Sequence, residues 1–183
     1  MSKSYVLVTA FGKDRPGMVA SVAEALFDLG GNLEDASMTR LGGEFTMMLV
    51  ASFAKTVRVP AIEKSLKPYG IKTGLDYSVK PIPPSAARLA AKESGAPYLI
   101  SVYGTDRPGL VSRVTRILAD HKISITDLNT RVLRKTDKPV YILLIEAEGS
   151  AKTDWDGARS ALDDARQALG VEITLQDISA ATL

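Results

Sequence analysis

Apolar residues near the amino terminus change their period once. Tyr5 to Phe11 (Y-V-L-V-T-A-F) is a β-branched and aromatic run without helical spacing, which predicts a short strand. After a polar turn, Met18, Val19, Val22, Leu26 and Leu29 recur three and four apart, lining one face of an amphipathic helix. Gly30-Gly31 stops that helix. Asn32 to Arg40 alternates, Gly42-Gly43 marks a hairpin turn, and Phe45 opens a buried strand. A second helix is predicted at about Val59 to Tyr69, ended by Gly70, with a last strand over I-K-T-G-L-D-Y-S-V.

The same order then returns. Shifting residues 12–40 by 92 gives an ungapped match to 104–132 with ten identities in 29 positions, against about two for random pairing at ordinary residue frequencies. G-K-D-R-P-G at Gly12 to Gly17 becomes G-T-D-R-P-G at Gly104 to Gly109. Tyr98 to Tyr103 is the matching strand, and Leu110, Val111, Val114, Ile117 and Leu118 the matching helix face. Ile123 to Leu133 and Val140 to Ala147 are joined by a longer hairpin, K-T-D-K-P. With a three-residue insertion, Phe45 to Ala51 aligns with Val140 to Glu146. A helix over about Trp155 to Leu169, ended by Gly170, precedes the last strand, V-E-I-T-L-Q-D-I.

The unit is therefore βαββαβ, twice. Two crossovers around a hairpin predict an α+β fold: tandem ferredoxin-like domains, each an antiparallel sheet with two helices on one face. The boundaries read as 1–80 for the first domain, 81–97 for a linker and 98–183 for the second. The linker is proline-stiffened at its ends and Ala-rich between them. It predicts a short helix with Ser85 as N-cap and Gly95 as stop.

Composition narrows the chemistry. The 183 residues contain no cysteine and one histidine, His121, which excludes disulfides, thiolate nucleophiles and Cys- or His-cluster metal sites. Twenty-three Lys and Arg against 21 Asp and Glu leave a net charge of +2, too balanced to argue for nucleic acid. No run approaches the ~20 apolar residues of a membrane span, and Tyr5 to Phe11 is too short for a signal peptide. A cytoplasmic protein without membrane attachment is expected.

A βαββαβ unit with G-x-D-R-P-G between the first strand and first helix, and Asn32 opening the second strand, resembles the ACT domain. Two such units with nothing else attached resemble the stand-alone double-ACT group that includes the glycine cleavage system transcriptional repressors. The resemblance implies a non-enzymatic regulatory module, without catalytic residues, metal or cofactor, that binds a small amino acid or related metabolite where two ACT domains meet. It implies a homodimer, and action through a regulatory protein partner rather than by direct contact with nucleic acid. Carried over, the ligand positions are Gly12, Lys13, Asp14, Arg15 and Asn32 in the first copy, and Gly104, Thr105, Asp106, Arg107 and Ser124 in the second. Ser124 where the first copy has Asn32 implies unequal sites.

The residue chemistry is compatible with that ligand. Free N–H groups at a helix start suit a carboxylate, an Asp accepts from an ammonium, and an Asn amide serves both. A plainer reading stays open beside it: Asp14 and Asp106 cap the helices, Pro16 and Pro108 occupy first helical positions, and the glycines permit the turns. Arg15 and Arg107 suit solvated or ion-paired roles. His121 ends a helix, where a cation is favoured, and has no evident nucleophile to serve. Met38, Met47 and Met48 read as core and strand-face residues, and Trp155 as a helix anchor. Arg40, Arg131 and Arg134 lie on hairpins, where charge protects sheet edges. The inner-strand runs F-T-M-M-L-V-A and V-Y-I-L-L-I-E lack the basic and aromatic pattern of a sheet that stacks RNA bases. A protein-interaction module with decayed ligand sites is the alternative function.

Overall fold

The computed structural model describes residues 3–89, 97–133 and 139–179. The chain divides into two compact units, Met1–Glu93 and Ser94–Leu183. The first runs β1 (Ser4–Lys13), α1 (Met18–Phe27), β2 (Gly31–Leu41), β3 (Glu44–Phe53), α2 (Val59–Thr73), β4 (Asp76–Ile82) and a short α3 (Pro84–Leu89). The second runs β5 (Tyr98–Thr105), α4 (Leu110–Asp120), β6 (Ser124–Leu133), β7 (Val140–Glu148), α5 (Trp155–Leu169) and β8 (Glu172–Asp177). Sheet orders are β2-β3-β1-β4 and β6-β7-β5-β8, antiparallel throughout the paired ladders. This is the ferredoxin-like arrangement that two crossovers around a hairpin require.

Strand alternation sets the core. Val6, Val8 and Ala10 of β1 and Phe45, Met47, Leu49, Ala51 and Phe53 of β3 are buried against Met18, Val22 and Leu26 of α1 and Ile62 and Leu66 of α2. The second unit repeats this with Ile100, Val102, Leu143 and Ile145 under Val114, Leu118 and Leu162. Each such Val, Leu or Ile contributes about 1.5–3 kcal/mol on burial. Trp155 anchors α5 by stacking on Tyr98 with ring centroids 3.8 Å apart.

The pairing corrects the alignment of the two copies. Gly12 lies opposite Phe45, and Gly104 lies opposite Tyr141. The insertion in the second hairpin is therefore four residues, not three, and Phe45 corresponds to Tyr141. A one-residue slip exchanges the faces of a strand. The corrected frame matches buried Met47, Leu49 and Ala51 with buried Leu143, Ile145 and Ala147.

Three predicted element ends also move. Gly70 does not end α2, which continues to Thr73 and is capped by Gly74 at φ 74°. The first three residues of the expected strand I-K-T-G-L-D-Y-S-V thus belong to the helix. Gly70 is instead a packing position, since a Cβ there would come within 2.6 Å of the Tyr77 ring. Pro16 and Pro108 precede the N-cap glycines rather than opening the helices. Ser85 lies inside α3 rather than capping it, while Gly95, Arg134 and most of the K-T-D-K-P hairpin fall outside the described residues.

Candidate functional site

The repeated turn has one geometry in both units. Gly17 (φ 91°, ψ 1°) and Gly109 (φ 88°, ψ −4°) take the left-handed conformation of the third position of a type II turn, with Pro at the second. Neither helix has a side-chain cap or an acidic residue in its first turn, so Asp14 and Asp106 are not the caps that the plainer reading expected. In the first unit the Arg15 N–H donates to Met18 Sδ at 3.0 Å. Leu110 stands in the place of Met18 in the second and offers no acceptor.

Asp14 is held from two sides. Its backbone N–H donates to the Gly43 carbonyl at 3.0 Å, and its carboxylate accepts from Arg40 Nη1 at 2.9 Å. The matching position of the second unit is Val132, opposite Tyr141 as Arg40 is opposite Phe45, and cannot donate. Gly12 and Gly104 are glycines for the fold's own reasons. A Cβ at Gly12 would lie 2.8 Å from the Gly74 carbonyl oxygen, and one at Gly104 would lie 2.4 Å from Val171 Cγ1. Lys13, Arg15, Thr105, Asp106 and Arg107 are exposed.

Asn32 is not beside this loop. It pairs with Ser52, which pairs with Tyr5 on β1, whereas Gly12 is seven residues further along that strand. At ~3.3 Å per residue the two lie about 23 Å apart. Ser124, opposite Glu148, holds the same distal place in the second unit relative to Gly104. Each unit thus carries a loop and a strand start at opposite ends of one sheet.

Around Asn32 the structure assembles residues that the sequence reading passed over. The β2 ladder slips between Leu33 and Asp35, leaving Glu34 as a bulge. Its carboxylate accepts from the buried Ser52 hydroxyl at 2.5 Å, from Asn32 Nδ2 at 3.4 Å and from Lys3 Nζ at 3.4 Å. Foremost the Ser52 bond, then those of Asn32 and Lys3, hold the Glu34 carboxyl below its ordinary value. The signal was readable: Leu33, Ala36 and Met38 are spaced three and then two, which breaks strict alternation at Glu34.

Among the described residues no cluster of His, Cys, Asp and Glu could hold a metal ion, and no helix is long and apolar enough to cross a membrane.

The family model for the ACT domain matches residues 4–80 and 97–176. The chain is 27% identical over 180 residues to the glycine cleavage system transcriptional repressor of Escherichia coli K12, covering 96% of this chain and 88% of that protein. It is 29% identical over 154 residues to the bifunctional uridylyltransferase/uridylyl-removing enzyme of Burkholderia orbicola, covering 74% of this chain but 18% of the enzyme. A solved structure of a protein from Galdieria sulphuraria superposes with TM-score 0.81 at 23% identity, covering 96% of this chain and 99% of that one. With both copies matched by one family model and folded as its repeated βαββαβ unit, the chain belongs to the ACT-domain family as a tandem pair of ACT domains.

Proposed function

We propose that this chain is a non-enzymatic regulatory protein of the cytoplasm. It senses a small amino acid where ACT units meet and reports it to a protein partner that controls transcription of amino-acid metabolism, glycine metabolism first. The observation that carries this reading is the separation of Asn32 from the Gly12–Arg15 loop, about 23 Å along one sheet. Neither end is a complete amino-acid site alone. A loop with uncapped helix N–H groups suits a carboxylate, and a strand start with an amide and a carboxylate suits an ammonium. A ligand about the size of glycine needs both within reach, so the missing half comes from another ACT unit, as a homodimer provides.

Such a ligand acts as a signal only if it binds one assembly state better than another. The similarity to a glycine cleavage repressor supports glycine as the first candidate. A thermal-shift screen of the twenty amino acids at millimolar concentration tests the reading. Stabilisation by one or a few small amino acids is expected, and stabilisation by none would end it.

One observation favours the second reading, an interaction module with decayed ligand sites. The edge strands β2 and β6 are exposed along their length and carry Leu33, Met38, Leu41, Ile125, Leu128 and Val132, an apolar complement suited to protein contact. Co-purification of a regulator that is indifferent to amino acids would select it.

A further inference from the structure

The last strands of the two units end their sheets differently. Val79 and Leu175 hold matching places, opposite Val8 and Ile100, so Lys80 and Pro81 of β4 correspond to Gln176 and Asp177 of β8. A lysine and a proline on an outer strand keep other chains from pairing with it. β8 carries neither, and among the described residues it pairs with β5 alone. The Ile178 N–H donates to the Pro97 carbonyl at 2.9 Å, and inward and outward residues alternate along an antiparallel ladder. Thr174 and Gln176 therefore bond β5, while Ile173, Leu175 and Asp177 turn their N–H and C=O groups away from it. The Arg159 guanidinium agrees with this direction, reaching from α5 to donate to the Leu175 carbonyl at 3.1 Å.

A groove of about 660 Å³ lies between α5 and this edge, lined by Asp156, Arg159, Asp163 and Asp164 of the helix and by Ile173 and Leu175 of the strand. Asp163 is paired with Arg166 at 2.7 Å, and Arg159 is engaged on Leu175. The exposed Asp156 and Asp164 have no ion-pair partner among the described residues and leave the helix wall negative. We infer that α5 and β8 dock an extended basic segment of a protein partner, added as a fifth strand to this four-stranded sheet, with lysine or arginine at the alternate positions that face the helix. In strand addition the main-chain bonds give affinity and the alternate side chains give specificity. This inference rests on the reading that the chain acts through a protein partner, and it names the surface and the chemistry of the segment. A second copy of β8 is the poorer occupant, because antiparallel self-pairing sets Glu172 of one strand towards Asp177 of the other, and like charges across a strand pair repel.

Fluorescence anisotropy of the full chain with a labelled, end-capped peptide of alternating lysine and valine provides the test. Saturable binding is expected, with loss of binding when glutamate replaces the lysines or when N-methylation removes the peptide's main-chain donors. Asp156→Asn/Asp164→Asn should weaken binding about threefold to tenfold and flatten its salt dependence. Asp177→Pro copies Pro81 of the first unit and removes an outward donor while sparing the ladder to β5. It should weaken binding about tenfold, and if it lowers stability the Asn double variant, at exposed helix positions, still reports. No saturable binding, equal binding of the glutamate peptide, or unchanged affinity in either folded variant overturns the inference. A dimer that Asp177→Pro dissociates also overturns it, since a second copy then covers β8. Co-purification of a protein partner that survives both variants would remove this surface and leave the partner reading in place, and the amino-acid thermal-shift screen reads sensing separately.

Discussion

Arg40 donates to the Asp14 carboxylate across 26 residues of chain, at 2.9 Å, and so ties the repeated loop to the β2–β3 hairpin. The pair is solvent-facing, with Arg40 67% and Asp14 29% exposed. Arg40→Ala should therefore cost under about 1 kcal/mol, an effect that shrinks with added salt. A double-mutant cycle with Asp14→Ala in urea unfolding measures it. Among the described residues, the second unit has Val132 at this place and no such coupling to lose.

The two loop glycines should respond differently to the same substitution. Gly12→Ala drives a methyl against the Gly74 backbone oxygen, and Gly104→Ala drives one against the Val171 side chain. Each costs about 1–3 kcal/mol as an overpacking change. Val171→Ala should recover part of the Gly104→Ala loss, seen as favourable coupling in a cycle. Leu75→Ala should recover little of the Gly12→Ala loss, because a carbonyl cannot be trimmed. Denaturant midpoints separate these outcomes.

Helix α5 starts on Asp154, whose Oδ1 accepts from the Gly157 N–H at 2.9 Å. Asp154→Ala should lower stability by about 0.5–2 kcal/mol, and Asp154→Asn should retain most of it. Thermal unfolding of the variants checks this.

Acid sensitivity has a local origin. The Glu34 carboxyl lies below its ordinary value because Ser52, Asn32 and Lys3 bond its charged form. A depressed carboxyl adds stability that is present above the unfolded value and is lost as pH falls through the lower folded value. Glu34→Gln should flatten the acid limb of the stability–pH curve. Asp163, lowered chiefly by its bond from Arg166, and Asp177, lowered by the Ser179 hydroxyl and N–H, add to the same limb. Urea midpoints measured across the acid range test the assignment.

Much of the fold was legible because the chain states it twice. Helix faces repeat at spacings of three and four, and Gly42 and Gly43 take the left-handed conformations (φ 61° and 85°) that a two-residue hairpin demands. The register of the third strands was not legible. Phe45 to Phe53 and Val140 to Glu148 are apolar at most positions on both faces, so alignment by similarity had no phase to hold. The end of α2 was misplaced because Gly70 looks like a stop, yet its missing side chain makes room for Tyr77 while Gly74 forms the cap. Of the candidate site, the loop was evident from G-x-D-R-P-G. Its distance from Asn32 follows only from strand pairing, and the bonds that Glu34 accepts emerge only once the bulge is placed.

The most direct measurement is calorimetric titration of the wild type and of the Asn32→Ala/Ser124→Ala double variant with the amino acid that stabilises the chain most. Saturable binding to the wild type that the double variant loses, while its unliganded melting temperature stays close to that of the wild type, is the result expected if the strand starts complete the ligand site. Binding that survives in the double variant, or is absent from the wild type, would contradict that role.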